Sequence, residues 1–68
     1  MRLNLKVFRV SKNLKQSDIA KMLGMTSPAY SMIEQGKRDG TIPFWNKLQK
    51  TFNIPENEMW SLMKNEEE

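Results

Sequence analysis

The stretch from Gln16 to Gly36 leaves this chain few options, because two runs of helical periodicity are separated only by Gly24-Met25-Thr26. Between Gln16 and Leu23 the apolar residues Ile19, Ala20, Met22 and Leu23 follow helical spacing, and Asp18 stands in the first turn, where a carboxylate complements the positive end of the dipole. Gly24 takes a left-handed conformation without a Cβ clash and so permits a sharp reversal. Thr26 reads as the N-cap of a new helix, with Ser27 and Pro28 at its first two positions, where proline removes no intrahelical hydrogen bond. This second helix runs to Gln35 and stops at Gly36. Two helices joined by so short a turn cross at a large angle, the first bracing the second while the second projects its N-terminal face. Ala20 is expected at their closest approach, where a larger side chain would push them apart.

The rest of the chain is helical by the same reasoning. Leu3 to Lys12 carries two overlapping apolar stripes, Leu3, Val7 and Val10 beside Leu5 and Phe8, which predicts a helix buried on a wide side. Asn13 stops it and Leu14 falls into the core. Thr41 caps a helix in which Trp45, Leu48 and Phe52 form a core stripe. Asn53-Ile54-Pro55 breaks that helix, and Pro55 opens a last one to about Met63, with Met59, Trp60 and Met63 on one side. The count is five helices and the class all-α. A single domain is expected over 1–64, with 65–68 an acidic, frayed tail.

At 68 residues such a domain hides only about 60% of the surface its unfolded chain exposes, so it has one core and little stability to spare. Cysteine and histidine are absent. That removes disulfides, the usual zinc ligands and most nucleophile and base pairs, so no metal, no cofactor and no catalytic residue are expected. No stretch approaches the roughly 18 apolar residues of a membrane span, and the opening Met-Arg-Leu-Asn-Leu-Lys is not a signal peptide. A cytoplasmic, bacterial or phage-encoded protein with no membrane partner is expected. There is no room for a separate small-molecule domain, so no ligand is expected either.

Charge is polarised along the chain. Residues 1–38 hold eight basic and two acidic side chains, residues 39–68 three basic and six acidic. This suits a basic face toward phosphates with an acidic end pointing away, although a plain solvated surface reads the same way.

The segment resembles the helix-turn-helix of the phage repressor and Cro superfamily. The resemblance rests on Leu14, Gln16, Ile19, Ala20, Leu23, Gly24, Thr26, Ser31, Ile33, Glu34, Gly36, Lys37 and Arg38, and runs without a gap from about Leu5 to Met59. It implies a compact five-helix bundle of the lambda-repressor-like type, with the motif formed by helices two and three. Gln16 matches a glutamine that contacts a phosphate and braces the recognition helix. Ser27, Pro28 and Met32, with Ser31 nearby, match positions that face base edges in the major groove. Gln35, Lys37 and Arg38 match the helix end and loop that grip the backbone. Arg9 and Glu34 match a partly buried ion pair between the first and third helices, with simple surface charge as the other reading of Arg9. Phosphate contacts by Lys and Arg place such a protein and supply most non-specific affinity, while base-edge contacts choose sequence. For Lys37 and Arg38 the competing reading is that they only solubilise a turn.

The chain departs from that pattern in ways that bear on mechanism. A strong direct reader carries Gln, Asn or Arg at its exposed recognition positions, for bidentate contacts to A or G. Ser27, Pro28, Ala29 and Met32 offer instead hydroxyl hydrogen bonds and contacts to thymine methyls, which leaves water and DNA shape a share of the specificity. Tyr30 stands where the family buries Ile or Val; its ring is expected in the core with the hydroxyl reaching the surface or a phosphate, and a base contact is the alternative. Lys15 replaces the usual Thr or Ser cap, so the helix it precedes starts with a poorer one.

Phe44, Trp45, Trp60 and Met63 are either core or interface. Phe44 and Trp45 are adjacent and cannot share one helical face, so part of this apolar surface is expected to be exposed and to mark an interface. The resemblance implies dimerisation through this region, with recognition helices about 34 Å apart. The expected protein is a sequence-specific regulator of double-stranded DNA, a repressor working as a homodimer on a palindromic operator. The rival reading is a helical protein-interaction module, antitoxin-like or an adaptor, using the aromatic C-terminal surface. RNA binding lacks the exposed aromatic platforms that such readers interleave with basic residues.

Overall fold

Chain reversals of one kind lay out the molecule, whose computed structural model describes residues 1–66. Asn13, Gly24, Gly36 and Asn53 have φ of 58°, 69°, 81° and 54°. In each case the next residue's N–H returns to a carbonyl in the last helical turn: Leu14 to Arg9 at 3.3 Å, Met25 to Ala20 at 2.9 Å, Lys37 to Met32 at 2.9 Å and Ile54 to Gln49 at 3.0 Å. This closure satisfies carbonyls that a helix end otherwise orphans and turns the chain back on itself. Between the reversals lie α1 (Leu3–Ser11), α2 (Gln16–Met22), α3 (Ser27–Glu34), α4 (Ile42–Phe52) and α5 (Glu56–Met63), with no strand among the described residues.

The helix starts follow from side-chain acceptors. Thr26 Oγ1 accepts from the Ala29 N–H at 3.3 Å and Thr41 Oγ1 from the Phe44 N–H at 3.2 Å. Lys15 makes no such bond, but the Asp18 carboxylate accepts from the Lys15 N–H at 2.9 Å, so the poorer cap is offset by a partner one turn on. Glu56 and Glu58 occupy the first turn of α5, where they favour its dipole.

The core gathers Leu5, Ile19, Ala20, Leu23, Tyr30, Ile33, Phe44, Trp45, Leu48, Ile54, Met59 and Leu62. Ala20 of α2 is buried, and α2 packs on α3; α1 packs on α5 and α3. Leu14 leans on the core, and Phe8 meets Phe52 edge-on with centroids 5.3 Å apart.

Two expectations are corrected here. The first helix is buried on a narrow side, not a wide one: Leu5 and Arg9 face inward, while Leu3, Val7 and Val10 are exposed. A helix packed mainly on α5 and α3, with Phe8 touching Phe52 of α4, leaves Leu3, Val7 and Val10 uncovered. Phe44 and Trp45 are both buried despite being adjacent. The loop before α4 wraps back over the helix start, so Phe44 faces Tyr30 with centroids 6.3 Å apart, while Trp45 Nε1 donates to the Asp39 carbonyl at 3.2 Å.

Of the tail expected over 65–68, Asn65 Nδ2 donates to the Gly36 carbonyl at 3.1 Å and the Glu66 N–H to the Met1 carbonyl at 2.9 Å; Glu67 and Glu68 lie outside the described residues.

Because asparagine holds the left-handed position after α1 and α4, Gly24→Asn is expected to destabilise the protein less than Gly24→Ala, which should cost about 1 kcal/mol. Urea midpoints of the two variants against the parent measure the difference.

Candidate nucleic-acid interface

The outward side of α3 is built by what its inward side does. Tyr30, Ile33 and Glu34 are buried, and this turns Pro28, Ser31, Met32 and Gln35 outward at i, i+3, i+4 and i+7, one stripe of the helix. Pro28 and Gln35 are exposed; Ser31, Met32 and, in the first turn, Ser27 are half-buried. The Gln35 amide donates to Ser31 Oγ at 2.7 Å. A hydroxyl oxygen occupied as an acceptor still has its O–H to give, so Ser31 presents a donor to whatever lies opposite.

No cation stands on this stripe; the nearest in sequence lie at the ends of α2 and in the loop after α3. Lys37 and Arg38 are exposed immediately after the helix, and their N–H groups both donate to the Met32 carbonyl, at 2.9 and 3.2 Å. Lys15 and Lys21 are exposed at the two ends of α2. Lys47 reaches across from α4 to the Gly24 turn, its Nζ 3.0 Å from where a Cβ would sit.

Under the stripe lies a buried ion pair. Glu34 is 1% exposed and accepts from Arg9 Nε at 2.9 Å and Arg9 Nη2 at 3.1 Å, a two-pronged contact. The Tyr30 hydroxyl donates to the same carboxylate at 2.7 Å and Gln16 Nε2 at 3.3 Å, while Arg9 Nη1 donates to the Leu14 carbonyl at 2.8 Å. Burial works to raise the Glu34 pKa, but the hydrogen bonds from Arg9, Tyr30 and Gln16 and the Arg9 charge outweigh it and hold the carboxyl below its usual range. Burial, aided by the Glu34 hydrogen bond and charge, pushes the Tyr30 phenol up. The hydrogen bond to Glu34 raises Arg9 against its own burial.

The Tyr30 ring lies in the core as expected, but its hydroxyl departs from expectation. It does not reach the surface but turns inward to Glu34. Gln16 is half-buried at the start of α2 and touches the base of α3 through Glu34, which is the bracing half of its expected role.

The interface residues divide as well. Phe44 and Trp45 belong to the core, whereas Trp60 is 72% exposed and Met63 half-buried. Ile42, 77% exposed, stands with Trp60 and Met63 around a shallow apolar groove between α4 and α5. Arg2 escaped sequence reasoning altogether: a basic residue ahead of a helix looks like surface charge, yet it is 5% exposed and its guanidinium is spent on main-chain carbonyls.

A protein-family model described as Helix-turn-helix matches residues 5–59. The chain belongs to the XRE-type helix-turn-helix family. Membership in this family implies binding of double-stranded DNA. A relative from Methanocaldococcus jannaschii, an uncharacterized HTH-type transcriptional regulator, is 37% identical over 54 residues, 79% of this chain and 82% of its own length. No solved structure matches the chain. The matched span takes in both motif helices, the Arg9–Glu34 pair and the basic loop. No helix among the described residues is long and apolar enough to cross a membrane.

Arg9→Met or Glu34→Gln alone should each cost about 3–5 kcal/mol by leaving a buried partner unmatched, and replacing both with apolar residues should recover most of the loss. A double-mutant cycle in urea reads the coupling. The depressed Glu34 pKa stabilises the fold fully above the unfolded value, about 4.3, and the contribution is lost as pH falls through the folded value. Acid titration of stability should accordingly fall less steeply below pH ~4 in Glu34→Gln than in the parent.

Proposed function

We propose that this protein is a sequence-specific transcription regulator, a repressor that places α3 in the major groove and excludes polymerase by occupying its operator. One observation carries the reading: a neutral, outward stripe on α3, braced from beneath by a buried network, with exposed Lys15 and Lys21 on the preceding helix and Lys37 and Arg38 in the following loop. Such a division lets the flanks supply salt-dependent affinity while the stripe chooses sequence. Gln16 supports it further, since the amide hydrogen bonded to Glu34 leaves the rest of the group free for a phosphate.

Specificity on this reading comes from weak contacts. Ser27 and Ser31 offer hydroxyls, Met32 and Pro28 apolar surface for thymine methyls, and local DNA shape supplies the remainder. The working state is a homodimer on a palindromic site. It is supported by Trp60 and Ile42, large apolar side chains exposed beside a groove into which a second copy's Trp60 would fit, so that one patch serves both subunits.

Enrichment of sites from a random duplex pool, followed by titration at several salt concentrations, tests the proposal. Arg38→Ala should weaken all sequences alike and reduce the salt slope by about one, whereas Met32→Ala should change the preferred sequence. Absence of binding at low salt would reject it and move the functional surface to Trp60 and Ile42.

Trp60→Glu should remove cooperative binding to the full palindrome while leaving affinity for an isolated half-site unchanged. Equal effects on both sites would count against a dimer formed through α5.

A further inference from the structure

Arg2 fans its guanidinium over carbonyls that are far apart in sequence. Nε donates to Met63 at 3.1 Å, Nη1 to Ile33 at 2.7 Å and Arg38 at 2.8 Å, and Nη2 to Asp39 at 3.3 Å. Its own N–H donates to the Glu34 carbonyl at 2.8 Å, and its guanidinium carbon lies 5.4 Å from the centre of the Trp45 ring. One cation thus joins the end of α3, the basic loop and the end of α5, where helix dipoles favour positive charge.

The consequence for Arg38 is specific. Its N–H is held by the Met32 carbonyl at 3.2 Å and its carbonyl by Arg2 at 2.8 Å, so both peptide planes around its Cα are fixed. With those planes fixed the direction in which its exposed side chain leaves the backbone is fixed too. The Asp39 carbonyl, shared by Arg2 and Trp45 Nε1, anchors the following peptide.

We propose that Arg2 is a positioning residue for DNA binding, holding the Lys37-Arg38-Asp39 loop from beneath so that its cations meet the phosphate backbone already ordered. The proposal rests on the reading that Lys37 and Arg38 grip phosphates. Arg2 itself touches no DNA. A loop ordered before binding does not have to be ordered by it, and freeing the backbone of a residue or so at this point corresponds to about a tenfold loss of affinity.

The test compares Arg2→Met and Arg2→Lys with the parent in two measurements. In the free protein, amide hydrogen exchange over 37–41 should accelerate about tenfold relative to α2 amides in Arg2→Met, and remain fast in Arg2→Lys, whose single ammonium cannot span four carbonyls. On random duplex DNA, Arg2→Met should bind about tenfold more weakly after correction for the folded fraction, and should lose little further affinity in a Lys37→Ala/Arg38→Ala background. Equal losses in both backgrounds, unchanged loop exchange, or full rescue by Arg2→Lys would each overturn the positioning role, the last by showing that charge alone suffices. If the parent itself fails to bind DNA, the phosphate role falls with the functional reading; the exchange measurement still decides separately whether Arg2 holds the loop.

Discussion

The carboxylate of Glu34 is the constraint on which the helix-turn-helix half of this molecule depends. Buried negative charge is tolerated only when its lone pairs are filled, and here Arg9 from α1, Gln16 from α2 and Tyr30 from α3 fill them together. None of the three helices can satisfy this group alone. Their relative placement follows from the geometry of a planar fork meeting a planar carboxylate, which is stricter than apolar packing and leaves α3 one seat on α1 and α2. Among the described residues no buried side-chain nitrogen or oxygen lacks a partner, so the polar interior is complete.

Placing charge beneath the recognition helix rather than on it has a cost and a use. The outward stripe of α3 carries no ionised group, and on the proposed function its encounter with DNA would be governed by the cations outside it. Two guanidiniums are spent on the fold itself, Arg9 on the seat of α3 and Arg2 on the loop that follows it. Both are held by protein acceptors, in contrast with exposed Lys15 and Lys21 at the ends of α2. The chain has separated cations that shape the fold from cations that are free to find phosphates.

Much of this arrangement could be read from the sequence because its punctuation is local chemistry. Gly24, Gly36, Asn13 and Asn53 permit left-handed backbone, and Thr26 and Thr41 cap the helices that follow, so element boundaries are written within a few residues of where they fall. The ion pair of Arg9 and Glu34 came from family resemblance and not from spacing. What escaped depends on partners distant along the chain. Helical periodicity cannot tell which of two apolar stripes on α1 finds a neighbour, and it placed Leu3, Val7 and Val10 no differently from Leu5. Adjacent Phe44 and Trp45 could not share a face, and only the return of the 37–41 loop over the helix start buries both. The Tyr30 acceptor lies only four residues on in the same helix, and what escaped there was that Glu34, held buried beneath α3 by Arg9 from α1, would take the hydroxyl inward; the fan of Arg2 over carbonyls at 33, 38, 39 and 63 has no local signature.

The contrast between the two tryptophans makes the molecule its own optical instrument. Trp45 lies in the core with its indole N–H bonded to the loop and a guanidinium beside its ring; Trp60 stands in solvent on α5. Emission from the first reports on the interior and on the closure of the basic loop. Emission from the second reports on whatever comes to rest against the C-terminal helix. Single-tryptophan versions separate the two signals, so that loop order and association can be followed in the same molecule without any attached dye.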